Sequence, residues 1–258
     1  MKKFIKHIIL MIAVLGYLIV ILGFVNTEEK KVTCNRIRII IHDSLDVQFV
    51  NSRMIRNVLL KGGNSLAGKS FDDISLQKIE DKIREIKYIK RAEVYMTVEG
   101  ELVVDIDQRK PELRIIDRSG QGYYIDREGY IIPLSPNYSP YVMIVNGAIG
   151  ERYRRVTNIY ELDPENNLLA DIYKLVKYIE SDKFWEAQIV QIYVNGNGEF
   201  ELIPRVGSHI IEFGKADNME EKFEKLWILY NDGFYYKGWN QYDRINLKYK
   251  NQAICTKR

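Results

Sequence analysis

The run from Ile8 to Val25, IILMIAVLGYLIVILGFV, contains no charged residue and constrains everything that follows it. At a rise of about 1.5 Å per residue it nearly crosses a hydrocarbon core of roughly 30 Å, and Phe4 and Ile5 can extend it. Lys2, Lys3 and Lys6 precede the run, and Asn26, Thr27, Glu28 and Glu29 follow it. A short basic tail stays in the cytoplasm, so the remaining chain is expected on the far side of the membrane. A cleaved signal has the same polarity, but its apolar region is about 7–15 residues long and ends in a small-residue cleavage site. Here the run is longer, and nothing resembling A-x-A stands before Glu28. The sequence predicts a cytoplasmic tail over 1–7, an uncleaved single-pass helix over 8–25 in the lipid bilayer, and a linker over 26–31.

Roughly 225 residues remain beyond that anchor, enough for one large or two small domains. The formal charge is +3, with several positive charges beside the span, so no basic stripe points to nucleic acid. With 18 Tyr and 6 Pro, the chain reads as a β-rich folded domain rather than a disordered stalk. Cys34 and Cys255 lie at opposite ends of the exported part. A disulfide is chemically allowed there, and two isolated thiols fit equally well.

From Val32 to Ile41 the chain alternates, with Ile37, Ile39 and Ile41 on one side and Arg36 and Arg38 on the other, which predicts a half-buried strand. Met54, Ile55, Val58 and Leu59 mark a helix over Asn51 to Leu60, closed by Gly62 and Gly63. Leu76, Ile79, Ile83 and Ile86 mark a second, from Ser75 to Lys87. Two strands follow around Glu99-Gly100, one carrying Ala92, Val94, Met96 and Val98, the other Leu102, Val104 and Ile106. This β-α-α-β-β order ends at QRKP, Gln108 to Pro111, and makes a compact module over 32–111.

Beyond it, over 112–258, short strands and Gly turns predict a mostly antiparallel β domain with two flanking helices. Strands are expected at Leu113 to Asp117, Tyr123 to Asp126, Ile131 to Leu134, Tyr141 to Val145, Ile189 to Val194, from Phe200, and at His209 to Gly214. NGNG, Asn195 to Gly198, is a hairpin turn. The helices carry Leu168 to Ile179, introduced by Asp163-Pro164, and Met219 to Tyr230. The last expected strand is Tyr242 to Tyr249. The fold class is α+β.

Gly63 to Ser70, GNSLAGKS, satisfies the pattern of a phosphate-binding loop. That loop needs a strand before it and a helix directly after it; here a helix precedes it and Phe71-Asp72-Asp73 follows. The match is a coincidence. His7, His42 and His209 have no metal-ligand spacing, and the cysteines are not locally paired. Lys69 beside Ser70 is not spaced for a Ser/Lys hydrolase, and no G-x-S-x-G occurs. The aspartates of DRSGQGYYIDREG lack the calcium-loop order. No catalytic constellation, cofactor site or metal site emerges, and what remains is a binding surface. A terminal strand can be a sheet edge that accepts another chain, or a covered strand with a solvated face.

The order of parts resembles the bacterial division proteins FtsQ, also called DivIB. The resemblance rests on the anchor, the β-α-α-β-β module, QRKP, YYIDREGYIIPLS (Tyr123 to Ser135), FELIPRVGSHIIEFG (Phe200 to Gly214), KFEKLWILYNDGF (Lys222 to Phe234) and the tail from Gly238 to Cys255. It implies a POTRA domain followed by an FtsQ-type β domain. It also implies a non-enzymatic component of the divisome in the inner membrane, with its bulk in the periplasm at the septum. Such a protein recruits and regulates septal peptidoglycan synthesis through the coiled-coil proteins FtsB (DivIC) and FtsL and contacts other divisome membrane proteins. The FtsB-type partner is expected to add a strand beside the final strand, where Arg244, Ile245, Asn246, Leu247, Lys248, Tyr249 and Asn251 lie. Leu226, Tyr230 and Trp239 form a second expected group, shared with the core. A POTRA-bearing translocation component and a membrane-anchored hydrolase are the alternatives. The first would need a membrane barrel that this chain is too short to hold; the second would show turnover by the purified domain.

Overall fold

The computed structural model describes residues 7, 10–21, 33–42, 47–60, 66–162 and 167–258, excepting the side chains of Tyr235 and Lys237. The chain divides into two compact units, Met1–Gln108 and Arg109–Arg258. Residues 10–21 are helical, and Leu10, Ile12, Leu15, Leu18 and Ile19 are exposed on them. Among the described residues no helix is long and apolar enough to cross a membrane. The two ends of the expected span, residues 8–9 and 22–25, lie outside the described residues, as does the Gly62-Gly63 helix stop.

The first unit is a POTRA-like β-α-α-β-β fold. Strand β1 (Arg36–Ile41) leads to helices α1 (Ser52–Leu60) and α2 (Leu76–Arg84), then strands β2 (Ile89–Met96) and β3 (Glu101–Gln108). The sheet order is β1-β3-β2, with β1 parallel to the central strand and β2 antiparallel to it. The expected alternation of β1 has a clear use. Arg36 and Arg38 both pair with Glu101 at 2.8 Å, which pins the register of the parallel pair. Ile55, Leu59 and Ile83 of the helices and Leu102, Val104 and Ile106 of the central strand are all buried. Each such side chain contributes about 1.5–3 kcal/mol by leaving water. Val98, expected on the first hairpin strand, is instead exposed, because β2 ends at Met96 and the chain turns through Gly100. Gly100 has a φ of +80°, and a Cβ there would meet the Thr33 carbonyl at 2.3 Å, so only glycine fits.

The second unit is built on one ten-stranded sheet. Its strands are β4 (Pro111–Ile116), β5 (Gly122–Asp126), β6 (Tyr130–Pro133), β7 (Met143–Gly147), β8 (Thr157–Asn158), β9 (Ile189–Val194), β10 (Phe200–Pro204), β11 (Ile210–Gly214), β12 (Tyr242–Asn246) and β13 (Ile254–Lys257). They run in the order β13-β12-β11-β10-β9-β7-β4-β5-β6-β8. Hairpins supply most of the pairings, as expected, but β4–β7, β7–β9 and β11–β12 are parallel, so the sheet is mixed. Each parallel pair needs a long return of the chain. Helix α3 (Leu168–Glu180) and the shorter α4 (Lys183–Gln188) supply the return before β9, and α5 (Met219–Ile228) begins the one before β12.

Leu169, Ile172, Val176 and Ile179 recur at helical spacing on α3 and share one buried cluster with Leu113, Val145, Ile192 and Leu202. The start of α3 is capped by Asn167, whose side chain accepts from the Ala170 N–H at 2.9 Å. The Asp163-Pro164 start expected from the sequence lies outside the described residues. The NGNG turn closes as expected, with the Asn195 side chain accepting from the Asn197 and Glu199 N–H groups.

Candidate functional site: the carboxy-terminal end of the sheet

Helix α5 runs on into a π-helical turn, Leu229–Gly233, and a last helix α6 (Phe234–Lys237), further than the Met219 to Tyr230 spacing predicts. The apolar side of this segment anchors an aromatic cluster. Tyr230 lies 4.9 Å from the Trp239 ring, 5.4 Å from Phe234 and 5.9 Å from Trp185. Leu226 and Tyr230 are buried and Trp239 is half-buried, so this second group of expected contacts is largely core. The Tyr230 hydroxyl is 2.8 Å from Nε2 of His209, and burial raises the tyrosine well above its ordinary pKa. Trp227, which packs edge-on against Phe184, and Ile228 remain exposed.

The strand expected over Tyr242 to Tyr249 is shorter, Tyr242–Asn246, and it is not the margin of the sheet. Of the two expected arrangements, sheet edge or covered strand, it takes the second. It lies between β11, to which it is parallel, and β13, which returns antiparallel against it. The return becomes possible at Asn251, whose φ of +58° is a left-handed conformation that asparagine tolerates. Sequence reasoning passed over β13 because ICTK is too short for periodicity, although a carboxy-terminal stretch after a turn-forming Asn was a usable signal.

The expected contact residues divide by strand face. Ile245 and Leu247 point into the core and are fully buried. Arg244 and Asn246 lie on the opposite face, where Glu212 of β11 accepts from both, at 2.6 and 2.8 Å. Glu201 of β10 stands 3.8 Å from the same arginine. Lys248 reaches Glu199 at 3.3 Å. Tyr249 and Asn251 are exposed in the turn that follows.

That turn is fastened to α5. Lys225 Nζ donates to the carbonyls of Leu247 at 3.1 Å and Tyr249 at 2.7 Å, and Glu221 accepts the Asn251 N–H at 3.1 Å. The latter bond, foremost, holds the Glu221 carboxyl below its ordinary pKa. Nearby, the buried Lys222 donates to Asp217 at 2.5 Å and to the Lys215 carbonyl at 2.8 Å. The margin presented to solvent is therefore β13, with Ile254, Thr256 and Lys257 exposed.

Elsewhere the residues offer little for chemistry. Among the described residues no group of three His, Cys, Asp or Glu side chains could hold a metal ion. The described part of the GNSLAGKS stretch is committed to structure, the Gly68 N–H donating to the Cys34 carbonyl and Ser70 bonding Asp73. Only a three-residue turn, Phe71–Asp73, follows it. Cys34 and Cys255 are not joined by a disulfide.

The chain is thus built of two α+β units, the second ending in a solvent-facing strand. A POTRA-like domain matches residues 32–107. The family described as FtsQ/DivIB, C-terminal related, matches residues 110–256, more than half of the chain, and the chain belongs to that family. Neither match is to a catalytic family. No curated protein matches the chain.

Proposed function

We propose that this protein is a non-enzymatic scaffold of the bacterial divisome, anchored in the cytoplasmic membrane through residues 8–25 with its two units outside. It captures a coiled-coil partner of the FtsB (DivIC) or FtsL type at the carboxy-terminal end of its sheet, and through it recruits and regulates septal peptidoglycan synthesis. The observation that carries this reading is a short, solvent-facing final strand at the margin of an FtsQ/DivIB-related domain. An edge strand has backbone donors and acceptors on its outer side, and an extended segment can pair with them.

The test is photo-crosslinking in living cells with a benzoylphenylalanine residue at Thr256, and at Val98 of the first unit as the control. A small coiled-coil division protein captured at Thr256, and absent at Val98, is the expected result. No adduct at Thr256 in dividing cells would overturn the reading.

A further inference from the structure

At the margin opposite β13 the sheet ends in β8, which follows β7 in the chain through a loop over residues 148–156. The loop reads AIGERYRRV and carries arginine at 152, 154 and 155. It is fastened on both sides. The Arg118 N–H donates to the Ile149 carbonyl at 2.9 Å, the Tyr123 hydroxyl donates to the Glu151 carbonyl at 2.9 Å, and Ile149 is buried. Where the loop ends, Thr157 pairs with Ile131 of β6, and the Asn158 side chain donates to the Glu128 carbonyl at 2.9 Å.

This loop walls a concavity of about 780 Å³, lined by Arg152, Arg154 and Arg155 together with Glu151, Glu161 and Leu162. Its volume falls in the range of sites that hold small molecules. The neighbouring carboxylates do not absorb the arginines. Glu161 accepts from the Thr157 hydroxyl at 3.0 Å. Glu151 makes no ion pair among the described residues, and one of its oxygens is buried without a hydrogen-bond partner there. Arg152 stands 4.0 Å from one oxygen of the buried Asp117, whose other oxygen accepts from Ser119 and Gln121. Arg154 and Arg155 are exposed, with no ion pair and no side-chain hydrogen bond among the described residues. Two guanidinium groups on a fastened loop are thus left open to an outside anion.

A guanidinium is a planar fork of N–H donors that matches carboxylate and phosphate geometry. One such fork can engage both oxygens of a carboxylate. A phosphate ester presents oxygens on several sides and can accept from two forks at once. A lone phosphate ion would fill little of the concavity, and the half-buried Leu162 offers an apolar wall for the rest of a larger molecule.

We propose that this concavity binds a phosphate ester, with its phosphate held by Arg154 and Arg155 and its alcohol part against Leu162. The site lies at the other margin of the sheet from β13 and needs neither the anchor nor the partner of the scaffold reading. The same group occurs on soluble esters and on lipid headgroups, and the two sources are separated by the choice of probe.

Calorimetric titration of the full chain in maltoside micelles tests the site. Glycerol 3-phosphate should bind saturably and at least about 10-fold more tightly than inorganic phosphate or succinate, a difference of about 1.4 kcal/mol. The double variant Arg154→Gln with Arg155→Gln should weaken that binding at least about 10-fold. Its urea midpoint should stay unchanged, because neither side chain has a partner to lose. Dihexanoyl phosphatidylglycerol carries the same phosphate on a lipid. Tighter binding of it than of the free ester assigns the site to a headgroup, and weaker binding assigns it to a soluble ester. No saturable binding of either probe, or binding that the double variant retains, would overturn the site. Succinate binding as tightly as glycerol 3-phosphate would overturn phosphate as the group recognised.

Discussion

His209 shows how one buried residue sets a pH limit on this domain. Its ring lies against Tyr230 and Phe234, and its Nδ1 has no hydrogen-bond partner among the described residues. A bare acceptor costs less than an orphaned N–H, so the neutral ring with its proton on Nε2, donated to Tyr230, is the stable form. Burial first, and then the charge of Arg258, push its pKa down to about 4. The unfolded chain takes up this proton near pH 6.5, and the folded chain resists until about pH 4. Between those values the unfolded state binds more protons, so stability is lost as pH falls through the window, by up to about 3 kcal/mol in all. Urea unfolding from pH 7 to pH 4 should show this slope in the natural protein and a flatter one in His209→Gln. An unchanged slope would assign the acid limit to the carboxylates instead.

At the scale of elements, α4 is short enough to depend on its cap. Asp182 accepts from the Phe184 N–H at 2.8 Å and the Trp185 N–H at 3.3 Å, and those two aromatics pack against Trp227 and Tyr230. A six-residue helix has little cooperativity of its own, so Asp182→Ala should cost about 1 kcal/mol, read as a lowered urea midpoint with the slope unchanged. The contrast with α3 explains what could be read from the sequence. Leu169, Ile172, Val176 and Ile179 announce α3 by period, whereas KFWEAQ is too brief to have one. Hairpins such as β9–β10 were legible because NGNG fixes a local turn. The parallel pairs β4–β7 and β7–β9 were not, since their order follows from the packing of α3 and α4 over distant strands. The same holds for the candidate site. Arg244, Ile245 and Asn246 lie on the strand read for them, with Leu247 just beyond it, but whether that strand is covered depends on a turn at Asn251 and the short strand after it.

For the whole molecule, the helix of residues 10–21 poses a problem that neither folded unit describes. Its apolar side chains, from Leu10 through Ile21, are exposed, and a continuous apolar cylinder in water is strongly disfavoured. Twelve residues reach about 18 Å, short of the roughly 30 Å of a hydrocarbon core, but the uncharged run of the sequence continues from Ile8 to Val25. The proposed anchor would put this surface in lipid, with the lysines ahead of it on the cytoplasmic side. The full chain expressed in bacterial cells should therefore stay in the membrane pellet after alkaline carbonate extraction, while a chain beginning at residue 33 should move to the supernatant. Release of the full chain by carbonate would show a peripheral attachment and overturn the proposed anchor.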